Sequence, residues 1–284
     1  MAGHLQFEAP TALEYFAALV ADDASFSVLE AAVAVAQDED PGLDVQGVLA
    51  EIDVLAERLR RRVPADAAPV QRLRLLNQYF FRELGFAGNV NDYYDRHNSL
   101  LPDVLRTRRG IPLTLALLYI EIALQIGLHA RGVSFPGHFL VKLHLPRGEV
   151  IIDPFGGRSL TREDLEERLL PYRREHGMTG EDAVPLGLFL QSASAREVIA
   201  RLLRNLKEVH RSAGDWARLA ATLQRLVILL PQDWSERRDH ALALERLGQR
   251  ERAANALALY LEHCPHAQDA AALRERLASW RRTH

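Results

Sequence analysis

The chain has 284 residues, of which 48% are hydrophobic and 26% charged, a composition typical of a folded protein with one large domain or two ordinary ones. The net charge of −3 provides no positive field that would attract nucleic acid or an anionic membrane, so we expect neither as a partner. The single cysteine, Cys264, excludes an intrachain disulfide and a multi-cysteine metal site. With neither a basic leader nor an apolar run of about 18 residues in view, we expect a cytoplasmic protein without metal or cofactor.

Four alanine-rich amphipathic segments fill roughly the first 95 residues. They lie at about 10–20, 24–37, 43–62 and 68–84. In the third, apolar residues recur at three-and-four spacing from Val45 to Leu59, and the basic residues at its end suit a helix C-terminus. We predict that residues 1–95 form a helical region packed on the core that follows.

The pattern changes in residues 96–190 to a helix followed by strands. Pro112 suits the first turn of a helix that runs to about Gln125 and is stopped by Gly127. Alternating apolar residues predict strands near 130–135, 138–143 and 149–153. The turn-rich stretch 156–190 predicts loops and short helices.

The C-terminal third repeats with a period of 34 residues. Pro231 and Pro265 are 34 positions apart, and so are Gly214 and Gly248. A helix–turn–helix unit of this length is the signature of tetratricopeptide repeats, with an unrelated helical bundle as the alternative. Residues 198–284 are therefore predicted to form two repeats and a closing helix. So short a stack should pack against the preceding domain.

Two polar side chains, His138 and Asp153, stand at the ends of the second and third predicted strands. Strand alternation places both on one face if the apolar residues between them share the core face. The favoured register sets Lys142 opposite Glu149, which brings His138 directly across from Asp153. A tight turn at Arg147-Gly148 is the alternative, and it sets Asp153 opposite Lys142.

An aspartate beside a histidine is a pair that enzymes use to activate a nucleophile. The carboxylate fixes the imidazole tautomer and stabilises its cation while the nucleophile loses a proton. A thiol nucleophile normally sits at the start of a helix, where unpaired N–H groups lower its pKa and bind an oxyanion. The helix expected to carry it begins at Pro112, and it contains no cysteine.

Four segments carry a resemblance that extends over nearly the whole chain. They are Asn98-Ser-Leu-Leu, Arg109-Gly-Ile-Pro-Leu-Thr-Leu, Gly132-Val-Ser-Phe-Pro-Gly-His-Phe-Leu and Asp153-Pro-Phe-Gly-Gly. Together they resemble the SirB-type transglutaminase-like family, a bacterial group that joins such a domain to C-terminal tetratricopeptide repeats. The resemblance implies an α+β, predominantly helical fold. Its papain/transglutaminase-like core is a helix plus a small antiparallel sheet, flanked by N-terminal helices and a helical repeat module.

The same resemblance implies a Cys-His-Asp site with its nucleophile missing. His138 and Asp153 take the histidine and aspartate positions, while the cysteine position falls at Pro112 and a Ser/Thr position at Thr114. A threonine hydroxyl is a weak nucleophile at neutral pH, and inside a helix it can bond back to a carbonyl. Cys264 lies in the second repeat and is interpreted as a small residue at a helix end.

Three further residues are candidates for binding beside Pro112. Asn98 either caps its neighbourhood, which is favoured, or lines the cleft. Arg109 either binds a carboxylate or phosphate or belongs to a solvated helix end, the commoner outcome. Gly137 directly precedes His138 in the third segment of the resemblance.

These observations favour a noncatalytic protein whose repeats bind a protein or peptide partner. The alternative is an acyl-transfer enzyme or amide hydrolase that uses Thr114 or an activated water with His138 and Asp153. For the histidine and aspartate themselves three roles stay open. They form a buried pair that pins the hairpin, part of a ligand pocket, or a catalytic dyad.

Overall fold

The computed structural model describes residues 10–23, 26–178 and 184–282. The remaining residues, 1–9, 24–25, 179–183 and 283–284, fall within the predicted N-terminal helices, loops and repeats, and they lie outside the described part. The helices are α1 (Ala12–Leu19), α2 (Val28–Ala34), α3 (Val45–Arg60), α4 (Pro69–Asn77), α5 (Leu101–Thr107), α6 (Pro112–Gln125), α7 (Arg162–Glu175), α8 (Leu186–Phe189), α9 (Ala195–Ala213), α10 (Trp216–Leu229), α11 (Trp234–Arg246), α12 (Arg250–His263) and α13 (Ala270–Arg282). The strands are β1 (Ala87–Gly88), β2 (Arg109–Gly110), β3 (His129–Val133), β4 (Leu140–Leu145), β5 (Gly148–Asp153) and β6 (Arg158–Leu160). The predicted fold class, α+β and predominantly helical, is confirmed.

The chain divides into two compact units. The first contains residues 27–36 and 44–202, and with them both sheets. The second contains the described residues up to 26, residues 37–43 and the chain from residue 203 onward. The boundaries 1–95, 96–190 and 198–284 stay predictions. Within the described residues, α1 groups with the repeats.

Helix α6 is the central helix of the first unit. Its residues are buried without interruption from Pro112 to Tyr119 and again at Ile122 and Ala123. A helix that is apolar on every side has to be covered on every side, and α3 packs against it together with β3 and β4. Pro112 occupies its first turn and Gly127, with φ +77°, follows its end, as predicted. None of the helices in the described residues is both long and apolar enough to cross a membrane.

The main sheet has four antiparallel strands in the order β3-β4-β5-β6. Lys142 pairs with Ile151, and Leu145 pairs with Gly148 across a two-residue turn. The predicted register with Lys142 opposite Glu149 is therefore wrong, and the alternative with Asp153 opposite Lys142 is wrong as well. The observed pairing lies midway between them, because the ladder continues to the end of both strands and leaves only a tight hairpin turn.

The alternation predicted for this hairpin is confirmed. Leu140 and Ile151, on the face shared by His138 and Asp153, pack in one cluster with Leu165 of α7. The opposite face meets α6, since Phe139 and Ile120 both approach Gly132. Both faces of the sheet are thus covered, and α7 covers the one that carries the predicted site. The stretch 156–190, which was predicted as loops and short helices, instead contains strand β6 and the 14-residue helix α7.

Helices α9 to α12 form two helix–turn–helix pairs, and α13 closes the stack. Gly214 after α9 and Gly248 after α11 adopt positive φ of +68° and +73°. The two glycines therefore end equivalent helices one period apart. The predicted repeat architecture is confirmed.

Candidate functional site

His138 and Asp153 meet, as predicted, but along a diagonal of the hairpin. The observed register places Asp153 across from Leu140, two residues beyond His138. The β3–β4 connection turns at Gly137, with φ +68°, and His138 Nε2 lies 2.8 Å from Asp153 Oδ1. A diagonal neighbour on a sheet face is within reach of a long side chain. The contact thus survives a register that was predicted wrongly.

The carboxylate of Asp153 is fully occupied by donors. Its Oδ1 also accepts the backbone N–H groups of Phe155 at 3.0 Å and Gly156 at 3.1 Å, and its Oδ2 accepts Arg168 Nη2 at 2.8 Å. Burial by itself raises the pKa of a carboxyl. The histidine, the Gly156 amide and Arg168 outweigh it and hold the pKa of Asp153 well below its usual range. Asp153 is therefore ionised at neutral pH, and His138 Nε2 donates to it.

Arg168 is a site residue that was missed because its segment was predicted as loops and short helices. It lies on α7, which begins with a capping box: the Thr161 hydroxyl accepts the Asp164 N–H, and the Asp164 carboxylate accepts the Thr161 N–H. The sequence Thr161-Arg-Glu-Asp carried this start signal. A helix predicted from that signal would have included Arg168.

An open depression of about 460 Å³ lies next to His138. Its walls are residues 135–138 and four side chains of α7, namely Arg168, Pro171, Tyr172 and Glu175. The side chain of His138 is 18% exposed, whereas that of Asp153 is 4% exposed. Since Nε2 is engaged, Nδ1 is the ring nitrogen that has no partner among the described residues. The ring can therefore form a hydrogen bond with a ligand group through Nδ1.

Phe155 lies on another side of the histidine. Its ring centroid is 6.3 Å from that of His138 and 5.9 Å from that of Tyr93, both edge-to-face. The ring also covers Gly88 so closely that a Cβ there would come within 2.4 Å of it. A glycine in β1 is thus required for the Asp-Pro-Phe-Gly-Gly segment to fold over it.

The position of the missing nucleophile is packed. Thr114 is fully buried, and its Oγ1 donates to the Asn98 carbonyl at 2.7 Å and to the Ile111 carbonyl at 3.1 Å. Its only proton is shared by two backbone acceptors, so the hydroxyl fastens the helix start to the preceding loop. Pro112, which is also buried, offers neither a nucleophilic atom nor a backbone N–H.

The other predicted binding residues do not share one surface. Asn98 is buried, and its Nδ2 donates to the carbonyls of Asp92 and Tyr93 at 2.6 and 3.2 Å. Arg109 is exposed, and its Nη1 donates to the Gly85 carbonyl at 2.7 Å. Gly137 does line the depression beside His138. Within the described residues, no three His, Cys, Asp or Glu side chains are grouped as metal ligands.

Replacing Thr114 with valine is expected to lower the free energy of unfolding by about 1–2 kcal/mol. Valine keeps the volume but removes the buried hydroxyl that bonds the Asn98 carbonyl. Urea denaturation measures the change. Thr107→Val is the matched control, because Thr107 also donates to a carbonyl but is exposed. Equal stability of Thr114→Val and wild type would show that the hydroxyl has no structural role.

Comparisons with known proteins agree with this architecture. Residues 46–204 match the transglutaminase-like superfamily, and residues 206–278 match the tetratricopeptide repeat. The predicted resemblance and the order of the two domains are thereby confirmed.

Three relatives illustrate how far the similarity extends. A UPF0162 protein of Xylella fastidiosa (strain 9a5c) is 37% identical over 247 residues, which cover 86% of each chain. A UPF0162 protein of Pseudomonas aeruginosa is 31% identical over 205 residues, 72% of this chain and 73% of the relative. The UPF0162 protein YchA of Escherichia coli (strain K12) is 27% identical over 227 residues, 79% of this chain and 81% of the relative. No solved structure matches the chain.

Proposed function

Because the chain belongs to the UPF0162 family and joins a transglutaminase-like domain to tetratricopeptide repeats, we propose that it is a noncatalytic protein that binds a protein or peptide partner. The proposal rests chiefly on the state of the nucleophile position. A transglutaminase-like reaction needs a thiolate at the start of the central helix, next to the histidine. That position is occupied instead by Pro112 and by Thr114, whose buried hydroxyl makes two hydrogen bonds to backbone carbonyls. Cys264 follows α12 in the repeats.

The pair of His138 and Asp153 then has a structural task. Asp153 joins β5, the following turn and α7 through His138, the two backbone amides and Arg168. These contacts order the wall of the depression. In this proposal the depression binds a ligand or peptide but does not catalyse its reaction. The largely buried imidazole contributes Nδ1, which has no hydrogen-bond partner among the described residues.

The repeats support the binding half of the proposal. Tetratricopeptide repeats in general mediate protein interactions, since stacked helix pairs present extended surfaces to peptides or helices. Two pairs and a closing helix are too few for a long solenoid but enough to form grooves between neighbouring helices.

The noncatalytic half is tested with amide, ester and isopeptide substrates. We expect the purified protein to give no turnover above the uncatalysed rate, and His138→Ala to behave like wild type. Turnover that is abolished in His138→Ala would instead support acyl transfer or amide hydrolysis by Thr114 or an activated water, with His138 and Asp153 as base and orienting group.

The binding half is tested by photo-crosslinking in the full-length protein. A crosslinking amino acid replaces Glu251 of α12 or Glu275 of α13, with Glu167 of α7 as the matched exposed position in the other unit. We expect one partner to be captured from both repeat positions and not from Glu167. Capture from Glu167 alone would remove the repeats from the proposed function.

A further inference from the structure

A second depression, of about 430 Å³, lies among α10, α11 and α12 in the unit that holds the repeats. Its apolar wall includes Val227, Leu244 and Leu259. Its polar wall includes Arg237 and His240 of α11 and Arg252 of α12. Aliphatic and basic groups thus share one groove.

Two polar atoms in this groove lack a partner. His240 is only 9% exposed, and its Nε2 makes no hydrogen bond within the described residues. The Nε of Arg237, on the same helix, is likewise buried without a partner. Buried donors and acceptors are normally paired, because an unpaired one has lost its hydration without compensation. Both residues therefore keep unused hydrogen-bonding capacity beside an open groove.

The charge of the groove shows which ligand fits. Arg237 and Arg252 have no carboxylate partner in the part of the chain that the structure describes, and no acidic residue lines the groove. Other arginines of the same repeats do pair with acids: Arg204 with Asp233, Arg211 with Asp239 and Arg238 with Asp269. The Arg237 guanidinium instead stacks over Trp234, 5.3 Å from the ring centroid, and Arg252 Nη1 donates to Gln249 at 2.6 Å.

The histidine adds no positive charge at neutral pH. Burial first, and then the charges of Arg252 and Arg237, lower the pKa of His240 to about 4. The third helix, α10, contributes no charged group to the lining. The groove therefore presents two uncompensated guanidinium groups and one neutral imidazole beside an aliphatic wall.

We propose that this groove binds an acidic amphipathic segment of a protein partner. A glutamate or aspartate side chain of that segment is held by Arg237, His240 and Arg252, and its aliphatic side chains pack between α10 and α12. Arginine forks match carboxylate geometry, and a helix that lays an apolar face in a groove is a common recognition mode. The inference rests on the proposed function and gives it a site and a chemistry.

The test uses the full-length protein and three synthetic peptides labelled with fluorescein. The first carries leucines on one helical face with flanking glutamates, and both of its termini are blocked. The second replaces every glutamate with glutamine. The third is the glutamine peptide with a free C-terminal carboxylate. Fluorescence anisotropy measures their affinities, and nitrogen chemical shifts report on the imidazole of His240.

We expect the glutamate peptide to bind and to shift the His240 nitrogens, with its neighbouring carboxylates raising the pKa of that histidine. Arg252→Gln should weaken its binding about tenfold, whereas Arg250→Gln, an equal charge change on the same helix outside the groove, should not. His240→Leu should weaken binding, and His240→Gln, which retains a donor, should restore most of it. Thermal unfolding confirms that each variant is folded.

Three results would overturn the inference: equal affinity for the glutamate and glutamine peptides, binding of the third peptide alone, and unchanged affinity in Arg252→Gln. The proposed function is judged separately by crosslinking at Glu251 and Glu275. In that experiment the crosslinking residue is placed in wild type and in the double variant Arg237→Gln/Arg252→Gln. If both proteins capture the partner equally, the repeats bind it outside the groove, and only the inference about the groove is rejected. If wild type captures no partner, the proposed function itself fails.

Discussion

Replacing Asp153 with alanine is expected to lower the free energy of unfolding by about 3 kcal/mol. The substitution removes the acceptor of His138, of two backbone amides and of Arg168 in a single step. It leaves the Arg168 guanidinium partly buried without its counter-ion, and it also frees the turn that follows β5. Urea denaturation at pH 7 measures the loss. Glu167→Ala, an exposed acidic residue on α7, is the control and should change stability by less than about 0.5 kcal/mol.

The same carboxylate predicts a pH dependence with a definite sign. Folding lowers the pKa of Asp153 below its ordinary value of 3.8, so the unfolded chain binds more protons than the folded one in acid. The stabilisation by Asp153 is complete above that value and is lost as the pH falls below it. The stability difference between wild type and Asp153→Ala should therefore shrink in acid. Parallel curves down to pH 2 would contradict the assignment of Asp153 as the ionised partner.

The second large effect is expected in the unit that holds the repeats. Arg225 of α10 is fully buried, and its Nε and Nη2 each donate to the Asp38 carboxylate at 2.7 Å. Its guanidinium also lies over the ring of Phe16, 4.8 Å from the centroid. Asp38→Ala leaves the buried guanidinium of Arg225 without its counter-ion and should lower the free energy of unfolding by about 4 kcal/mol.

A double substitution shows whether the stability lost in Asp38→Ala comes from the unpaired buried charge of Arg225. Arg225→Met in the Asp38→Ala background removes the charge and fills its space with an unbranched apolar chain. Most of the lost stability should return, as it does when buried ion pairs are replaced by apolar residues. Asp40→Ala, an exposed acidic residue in the same segment, is the control. If the double variant is no more stable than Asp38→Ala, the cost has another origin.

Local features of this chain could be predicted because they depend only on residue type and spacing. Pro112 and Gly127 delimit α6 as predicted, since proline suits a helix start and glycine readily adopts the positive φ that follows a helix end. The period marked by Gly214 and Gly248 identified the repeats for the same reason. The absence of a thiol at the start of α6 was also evident from the sequence.

The site itself could be predicted only in part. Strand alternation placed His138 and Asp153 on one face, because the period of a strand is two in any register. The register was predicted wrongly, because it depends on the hairpin turn and on how far the ladder of hydrogen bonds continues. Arg168 was missed along with its helix, and it is the residue that completes the environment of Asp153.

The sequence by itself thus determined the central helix α6, the alternation of the strands, the repeat period and the empty nucleophile position, all of which are encoded over short distances or by a fixed spacing. Only the tertiary structure decided that the Thr114 hydroxyl is bonded to the Asn98 carbonyl and that Arg225 is paired with Asp38, 187 positions away. It also decided that Arg237 and Arg252 have no carboxylate partner among the described residues. The packing of helices that are far apart in the sequence determines which polar side chains become partners, and no local sequence pattern encodes that packing. The chemistry of the two candidate binding surfaces therefore became visible only in the folded chain.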